Sequence, residues 1–244
     1  MKVMVYVKQN ATPTLGRQTL FFDADDTLWE NSVYFERSIA AFISYLDHSV
    51  HTSEEVREHL NLCEQATIAE HGYGLKSFRR SLVNCFEQLT SSPATPEKHE
   101  RIVSFVNSIA EQEIELLPGV AATLAELSQR HTLIVVTKGD LHEQTDKLQR
   151  SGLAPSFTAV EVLAEKHEEA YRHLISKHGC DAACTWMIGN SPKSDVNSSL
   201  AAGLNAVFVP HDFTWVLEHE SIEQPAAGRR LLELGGFAEL LNHF

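Results

Sequence analysis

Five short apolar runs punctuate the chain: TLFF (19–22), TLIVV (132–136), FTAVEVL (157–163), TWMI (185–188) and NAVFV (205–209). Each has the length of a strand and is apolar enough to be buried. Between the last four lie stretches with helical spacing, such as HEQTDKLQRSGL (142–153) and EEAYRHLISKHG (168–179). Strand alternating with helix at this cadence predicts an α/β fold, a doubly wound parallel sheet. Gly152 and Gly179 fall where two of these helices should end.

One interval breaks the cadence. Between Leu28 and Pro118 there is no convincing strand, only helical patterns at 33–47, 54–70, 75–90 and 97–116, with SSPATPEK (91–98) as an interhelical loop. About 90 residues of helix after the first strand predict a separate small all-helical domain over 30–116. The core then comprises 19–29 and 117–244, rejoined at LPGV (117–120). PHDFTW (210–215) leaves the fifth strand, a loop surrounds Glu223 to Gly228, and FAELLNHF (237–244) reads as a final helix. Residues 1–18 form an N-terminal extension, with VMVYV (3–7) able to make a short edge strand and 11–18 a loop.

Composition narrows the functional classes. At 244 residues, 43% hydrophobic and 22% charged, the chain is neither disordered nor fibrous. A net charge of −13 repels phosphate backbones and argues against nucleic acid as a partner. It leaves room for a small anionic substrate, because one bound cation inverts a local field. Cys63, Cys85, Cys180 and Cys184 are too scattered for a disulfide framework or a zinc site. No apolar run approaches the roughly 20 residues that span a bilayer, so no membrane association is expected. MKVMVYVKQN is too short and too interrupted for a secretory signal, so a cytoplasmic location is expected. Thirteen histidines include no HExxH pattern, and His48, His51 and His211 read as surface or packing residues. Nothing in the sequence specifies an oligomeric state.

In an open α/β sheet, ligands bind beyond the carboxyl ends of the strands. Four such ends carry polar sets: FFDADDT with Asp23, Asp25 and Asp26; VVTKGD with Thr137; Lys166 after the third strand; and GNSPKSD with Asn190 and Asp195. A lone aspartate after a strand is usually a turn former. Four polar sets at one sheet edge instead describe a site.

These motifs, in this order, resemble those of the haloacid dehalogenase (HAD) superfamily of hydrolases and phosphotransferases. Its DxDx(T/V) motif is matched by Asp23-Ala24-Asp25-Asp26-Thr27, its threonine by Thr137, its lysine by Lys166, and its acidic pair by GNSPKSD. The likeness covers about Thr19 to His219, and the helical insert resembles the C1-type cap on a Rossmann-like core. It implies that Asp23 attacks phosphorus to form an aspartyl-phosphate. Asp25 would protonate the leaving alkoxide and then activate water. Thr137 would donate to a phosphoryl oxygen, and Lys166 would balance the carboxylates. Mg²⁺ would sit among Asp23, the Asp25 backbone carbonyl, Asn190 and Asp195.

Asn190 departs from the pattern, because many relatives carry aspartate there. Either its amide oxygen ligates weakly and Asp195 supplies the carboxylate, or Asp195 holds Lys166 or a metal-bound water. Asp26 reads as a structural cap, Thr27 as a local loop contact, Ser191 and Ser194 as turn residues and Lys193 as solvated. Trp29, Glu30 and Asn31 follow the first motif where the family has its flap; Trp29, Lys138 and Gly139 are the expected substrate contacts. In HGYGLKSFRR (71–80), Lys76, Arg79 and Arg80 either grip a second anionic part of the substrate or form a solvated helix face.

The expectation is a Mg²⁺-dependent phosphatase of a small phosphorylated metabolite. The alternatives are a phosphotransferase or mutase of the same family, or a binding module whose site has decayed at Asn190. A dehalogenase needs no proton for its leaving halide, so Asp25 argues against it.

Overall fold

The computed structural model describes residues 16–46 and 50–244. The expected strand at 3–7, most of the loop at 11–18, and His48 lie outside the described residues. Six parallel strands form one sheet: β1 (Thr19–Phe22), β2 (Thr132–Lys138), β3 (Ala159–Leu163), β4 (Thr185–Gly189), β5 (Asn205–Phe208) and β6 (Leu231–Glu233). Their spatial order is β3-β2-β1-β4-β5-β6. The strand order reverses beside β1, which creates a crevice at its carboxyl end. Five of these strands are the apolar runs of the sequence. The sixth is a three-residue edge strand on β5, too short to leave a pattern.

Alternation along β1 splits the core. Leu20 and Phe22 face one layer with Leu133, Val135, Trp186 and Ile188; Phe21 faces the other with Ile134, Val136 and Met187. The first layer packs against a helix at Val120–Arg130 (Leu124, Leu127), the second against one at Glu168–His178 (Tyr171, Leu174). Each fully buried Leu or Phe contributes about 1.5–3 kcal/mol relative to exposure. The expected final helix is instead a tight 3₁₀ segment at Phe237–Asn242. Its three-residue period suits Phe237 and Leu240, both buried against the same layer.

The insert contains α1 (Ser32–Tyr45), α2 (Ser53–His71), α3 (Leu75–Thr90) and α4 (Pro96–Ala110). Thr52 and Glu55 close a capping box on α2, and Thr95 caps α4 with Pro96 at its first turn. These helices bury their own cluster, including Phe42, Leu60, Leu82, Cys85 and Ile102. The fourth helical pattern was expected to run to 116, but α4 stops at Ala110. Beyond it the chain is drawn out beside the outgoing segment: Glu30 N donates to Glu115 O (2.9 Å), and Leu117 N donates to Leu28 O (3.0 Å). Those interchain-like bonds replace helical ones. The remaining helices of the core are α5 (Val120–Arg130), α6 (Leu141–Arg150), α7 (Glu168–His178) and a short α8 (Ser198–Ala201). All four cysteines are free thiols, and among the described residues no helix is long and apolar enough to cross a membrane.

Candidate active site

Asp23 follows the central strand directly, and its backbone N–H donates to Ile188 O at 2.9 Å, extending the β1–β4 ladder by one residue. Its carboxylate is thereby fixed at the crevice. The side chain accepts a short hydrogen bond from Lys166 Nζ, which also donates to Asp195 Oδ1 at 2.7 Å. Lys166 and Asp195 are both buried. Burial and the neighbouring Asp195 push the Asp23 carboxyl up to about 7, against the opposing pull of Lys166. Burial works against the Lys166 ammonium, but Asp195 and Asp23 outweigh it and raise its proton affinity.

Asp195 reaches this position through a local distortion. Residues Pro192–Asn197 form a π-helical turn, with both Asp195 N and Val196 N donating to Ser191 O at 3.1 Å. The wide turn aims Asp195 back under the strand, where its Oδ2 accepts from Ser191 N at 2.9 Å. A Cβ at residue 189 would lie 2.2 Å from that same Oδ2, so only glycine fits at the end of β4. Both Asp195 oxygens are therefore committed to Lys166 and the turn.

Asn190 faces Asp23 instead. Its Oδ1 accepts from Thr27 Oγ1 (3.2 Å), and that hydroxyl also lies 3.3 Å from Asp23 Oδ2. Its Nδ2 donates to Thr214 Oγ1 at 3.1 Å, which orients the amide oxygen toward Asp23. Two hard oxygens, one from a buried carboxylate whose charge is only partly compensated, converge on one hydroxyl. That donor set fits a small divalent cation of the Mg²⁺ type, which Asp23 and Asn190 could hold. A second set, Asp26, Glu30 and His211, brings ligand atoms within 4.8 Å of one another. Asp26 is occupied: it accepts from Asn31 N and Ser32 N (both 2.9 Å) and from Ser32 Oγ, capping α1 from a left-handed backbone position (φ 61°).

Asp25 is held by Lys147 and Gln144, which no sequence motif marks, and by Trp29, expected at the substrate. Lys147 Nζ donates to both its oxygens (2.7 and 2.9 Å), Gln144 Nε2 at 2.8 Å and Trp29 Nε1 at 2.7 Å. Burial raises the Asp25 carboxyl, but the charge and hydrogen bonds of Lys147 prevail and hold it below the usual carboxylate range. Gln144 and Lys147 share a face of α6, three residues apart, and Asp140 caps that helix through His142 N and Glu143 N. Gly139 (φ 140°) lets Gln144 pass, since a Cβ there would meet its Nε2 at 2.9 Å. The capped helix and its i, i+3 spacing were visible in the sequence; the direction of that face was not.

A cavity of about 200 Å³ opens over these groups, lined by Asp23, Asp25, Thr137, Lys166, Asn190 and Asp195. Lys138 and Gly139 also line it; Trp29 does not. Trp29, expected at the substrate, is buried with the core and serves Asp25 as a hydrogen-bond donor. Lys76, Arg79 and Arg80 do not line the cavity either, because the inner face of α3 is formed by Ser77, Phe78, Ser81 and Leu82. Ser191 and Ser194 do more than turn the chain. Ser191 Oγ donates to Glu218 (2.5 Å), and Ser194 Oγ accepts from Lys138 Nζ at 3.0 Å. Lys138 also pairs with Glu218 and lies 4.6 Å from the ring centre of Tyr73, a residue of the α2–α3 loop. Glu218 ends a three-residue 3₁₀ turn (Val216–Glu218) beyond β5, too short to carry a periodic signal.

A six-stranded doubly wound sheet with a helical insert over its switch point defines a class of α/β enzyme. A profile of the family described as "Haloacid dehalogenase-like hydrolase" matches residues 20–209. The chain belongs to that family and is a hydrolase by membership. N-acylneuraminate-9-phosphatase of Rattus norvegicus is 27% identical over 203 residues, covering 78% of this chain and 80% of the relative. Glyceraldehyde 3-phosphate phosphatase of Methanothermobacter thermautotrophicus is 28% identical over 207 residues, covering 81% and 87%. The crystal structure of a haloacid dehalogenase-like family hydrolase from Xanthomonas campestris superposes with a TM-score of 0.78 at 28% identity, over 93% of this chain and 94% of that one.

Proposed function

We propose that the chain is a Mg²⁺-dependent phosphatase of a small phosphorylated metabolite, with Asp23 as nucleophile. The observation that carries this reading is the convergence of Asp23, Asp25, Thr137, Lys166 and Asn190 on one cavity beneath the helical insert. Two phosphatases among the relatives support it.

Asp23 attacks phosphorus, the P–O bond to the alcohol breaks, and the departing alkoxide takes a proton from the Asp25 carboxyl. Water then attacks the aspartyl-phosphate, gives its proton to Asp25, and releases inorganic phosphate and Asp23. Thr137 donates to a phosphoryl oxygen, and Lys166 holds Asp23 while opposing the charge on the transferred group. Asp23 and Asn190, with the Asp25 carbonyl, would hold Mg²⁺, which would supply neutralisation of the charge on the phosphoryl oxygens. Asp195 acts on this set through Lys166. The Lys147 pair favours the ionised form of Asp25, the form that takes a proton from the attacking water in the second step. Residues 30–116 serve as the cap over a core of 19–29 and 117–244, shielding the intermediate.

The direct test is hydrolysis of 4-nitrophenyl phosphate with Mg²⁺ and with chelator. Release of phosphate only in the presence of Mg²⁺ is expected; equal rates in both would refute the metal dependence. Stability gives a second readout. Between about pH 4 and 7 the folded chain retains a proton on Asp23 that the unfolded chain has lost, so metal-free stability falls as pH rises through that window. Mg²⁺ compensates the ionised carboxylate. It should therefore raise the melting temperature by ~2–4 °C at pH 8, the change that about 1 kcal/mol produces at this chain length, and hardly at all at pH 5. A shift independent of pH would remove Asp23 from the metal site.

A further inference from the structure

The cap side of the cavity contains a buried acid that the reaction does not use. Glu64 lies on the inward face of α2 beside Val56, Leu60, Cys63 and Thr67, a stripe that packing alone would fill with apolar groups. It is only 6% exposed, lines the cavity, and its Oε2 has no hydrogen-bond partner among the described residues. An unpaired buried carboxyl costs several kcal/mol in an apolar setting. The neighbouring donors are committed elsewhere. Arg57 forms a two-pronged pair with Glu36 at 2.7 Å per contact, and Ser81 Oγ donates to the Ser77 carbonyl at 3.0 Å. Burial pushes Glu64 up to about 7; Arg57 opposes this and Glu36 adds to it.

Positive charge is confined to the core end of the cavity, where it lies among the acids Asp23, Asp25, Asp26, Glu143, Asp195 and Glu218. The basic lining residues, Lys138, Lys147 and Lys166, all come from the core. The cap contributes apolar walls, Phe35, Ile39 and Phe78, together with the acids Glu36 and Glu64, and no lysine or arginine. A ligand complementary to this arrangement carries phosphate toward the lysines and the cation that the core acids would hold, an apolar middle, and a hydrogen-bond donor at the other end.

Resting on the phosphatase reading, we infer that Glu64 is a specificity residue that accepts a hydrogen bond from the far end of the substrate's alcohol, an ammonium or hydroxyl group, and rejects a carboxylate there. The carboxylate is excluded because it would face Glu64 and Glu36, and the neighbouring cation, Arg57, is already paired with Glu36. The donor is selected because a site with an orphaned acceptor loses that bond to any ligand lacking it.

The test uses alkyl phosphonates, which bind without being hydrolysed, in matched chain lengths tipped with methyl, hydroxyl, ammonium or carboxylate. Calorimetry on the full chain with Mg²⁺ should give at least 10-fold tighter binding for the ammonium or hydroxyl tip than for methyl at the best length, with carboxylate weakest. The hydroxyl and ammonium arms distinguish a neutral from a cationic tip. Glu64→Gln should reduce the ammonium preference by at least 10-fold, while Glu58→Gln, on the exposed face of the same helix, should not. Equal binding of methyl and donor tips, a carboxylate that binds best, no binding of any phosphonate, or an unchanged ranking in Glu64→Gln overturns the inference. If Glu64→Gln fails to fold, the wild-type ranking alone decides. The same series as phosphate esters tests the underlying reading separately. A donor preference without phosphate release would leave the Glu64 assignment standing and sink the phosphatase.

Discussion

Asp23→Asn should lower kcat toward 4-nitrophenyl phosphate by ~10⁴-fold or more, the scale on which a nucleophile's removal is felt when the rest of the site persists. The amide oxygen keeps the acceptor that Lys166 requires, so the ammonium is not orphaned. It is too weak a nucleophile to form the covalent intermediate. The same change removes a carboxylate that burial and Asp195 hold near 7, so the variant should be at least as stable as wild type at pH 8. Loss of activity without loss of stability separates chemistry from folding. Quenched reactions of the wild type should yield a phosphorylated peptide containing Asp23, and those of the variant should not. Retention of activity within 10-fold would transfer the nucleophile's role to another group.

Asp25→Asn should cost 10²–10⁴-fold, the usual range for a positioned acid–base group. The loss should depend on the leaving group. A nitrophenolate departs without a proton, so the first step with 4-nitrophenyl phosphate suffers little. An alkyl phosphate needs the proton and should sit at the upper end of the range. A uniform loss across both substrates in the rate of the first, phosphoryl-transfer step, measured in a single turnover, would remove the general-acid role from Asp25. The contacts of Asp25 give this substitution a second consequence. Lys147 donates to both its oxygens and also to Asn31 Oδ1 (2.9 Å), so the neutral amide leaves an ammonium with weakened pairing at the junction of α6 and the helical insert. Stability should therefore fall in Asp25→Asn while it holds in Asp23→Asn, and paired thermal melts measure the difference.

The row of polar groups at the sheet edge was legible because it is written locally. Asp23, Thr137 and Asn190 each stand at or just past the end of an apolar run, and a parallel sheet sends those ends to the same side. The helical insert was legible for the same reason: a long interval with period 3.6 and no strand cannot join a sheet. Trp29 shows where adjacency misleads. It follows the first motif by two residues, yet its backbone pairs with Asp25 and Leu116, and its ring goes into the core. The division of labour at the fourth motif was left open between Asn190 and Asp195. A π-helical turn, invisible in PKSDVN, points Asp195 at Lys166 and leaves Asn190 toward Asp23.

Periodic apolar runs and the residues that end them are properties of neighbouring positions, so the sheet, the insert and the row of strand-end groups follow from the chain alone. Glu64, Lys147 and Glu218 belong to a different kind of information. Each is an ordinary charged residue on a helix or loop, and its meaning depends on which remote surface it meets. Packing of the inserted helices buries Glu64, the rotation of α6 carries Lys147 to Asp25, and the return of the chain after β5 brings Glu218 to Lys138. Coulombic and hydrogen-bond energies fall off over a few ångströms, while these partners lie far apart in sequence. Only the tertiary fold could bring them within that range.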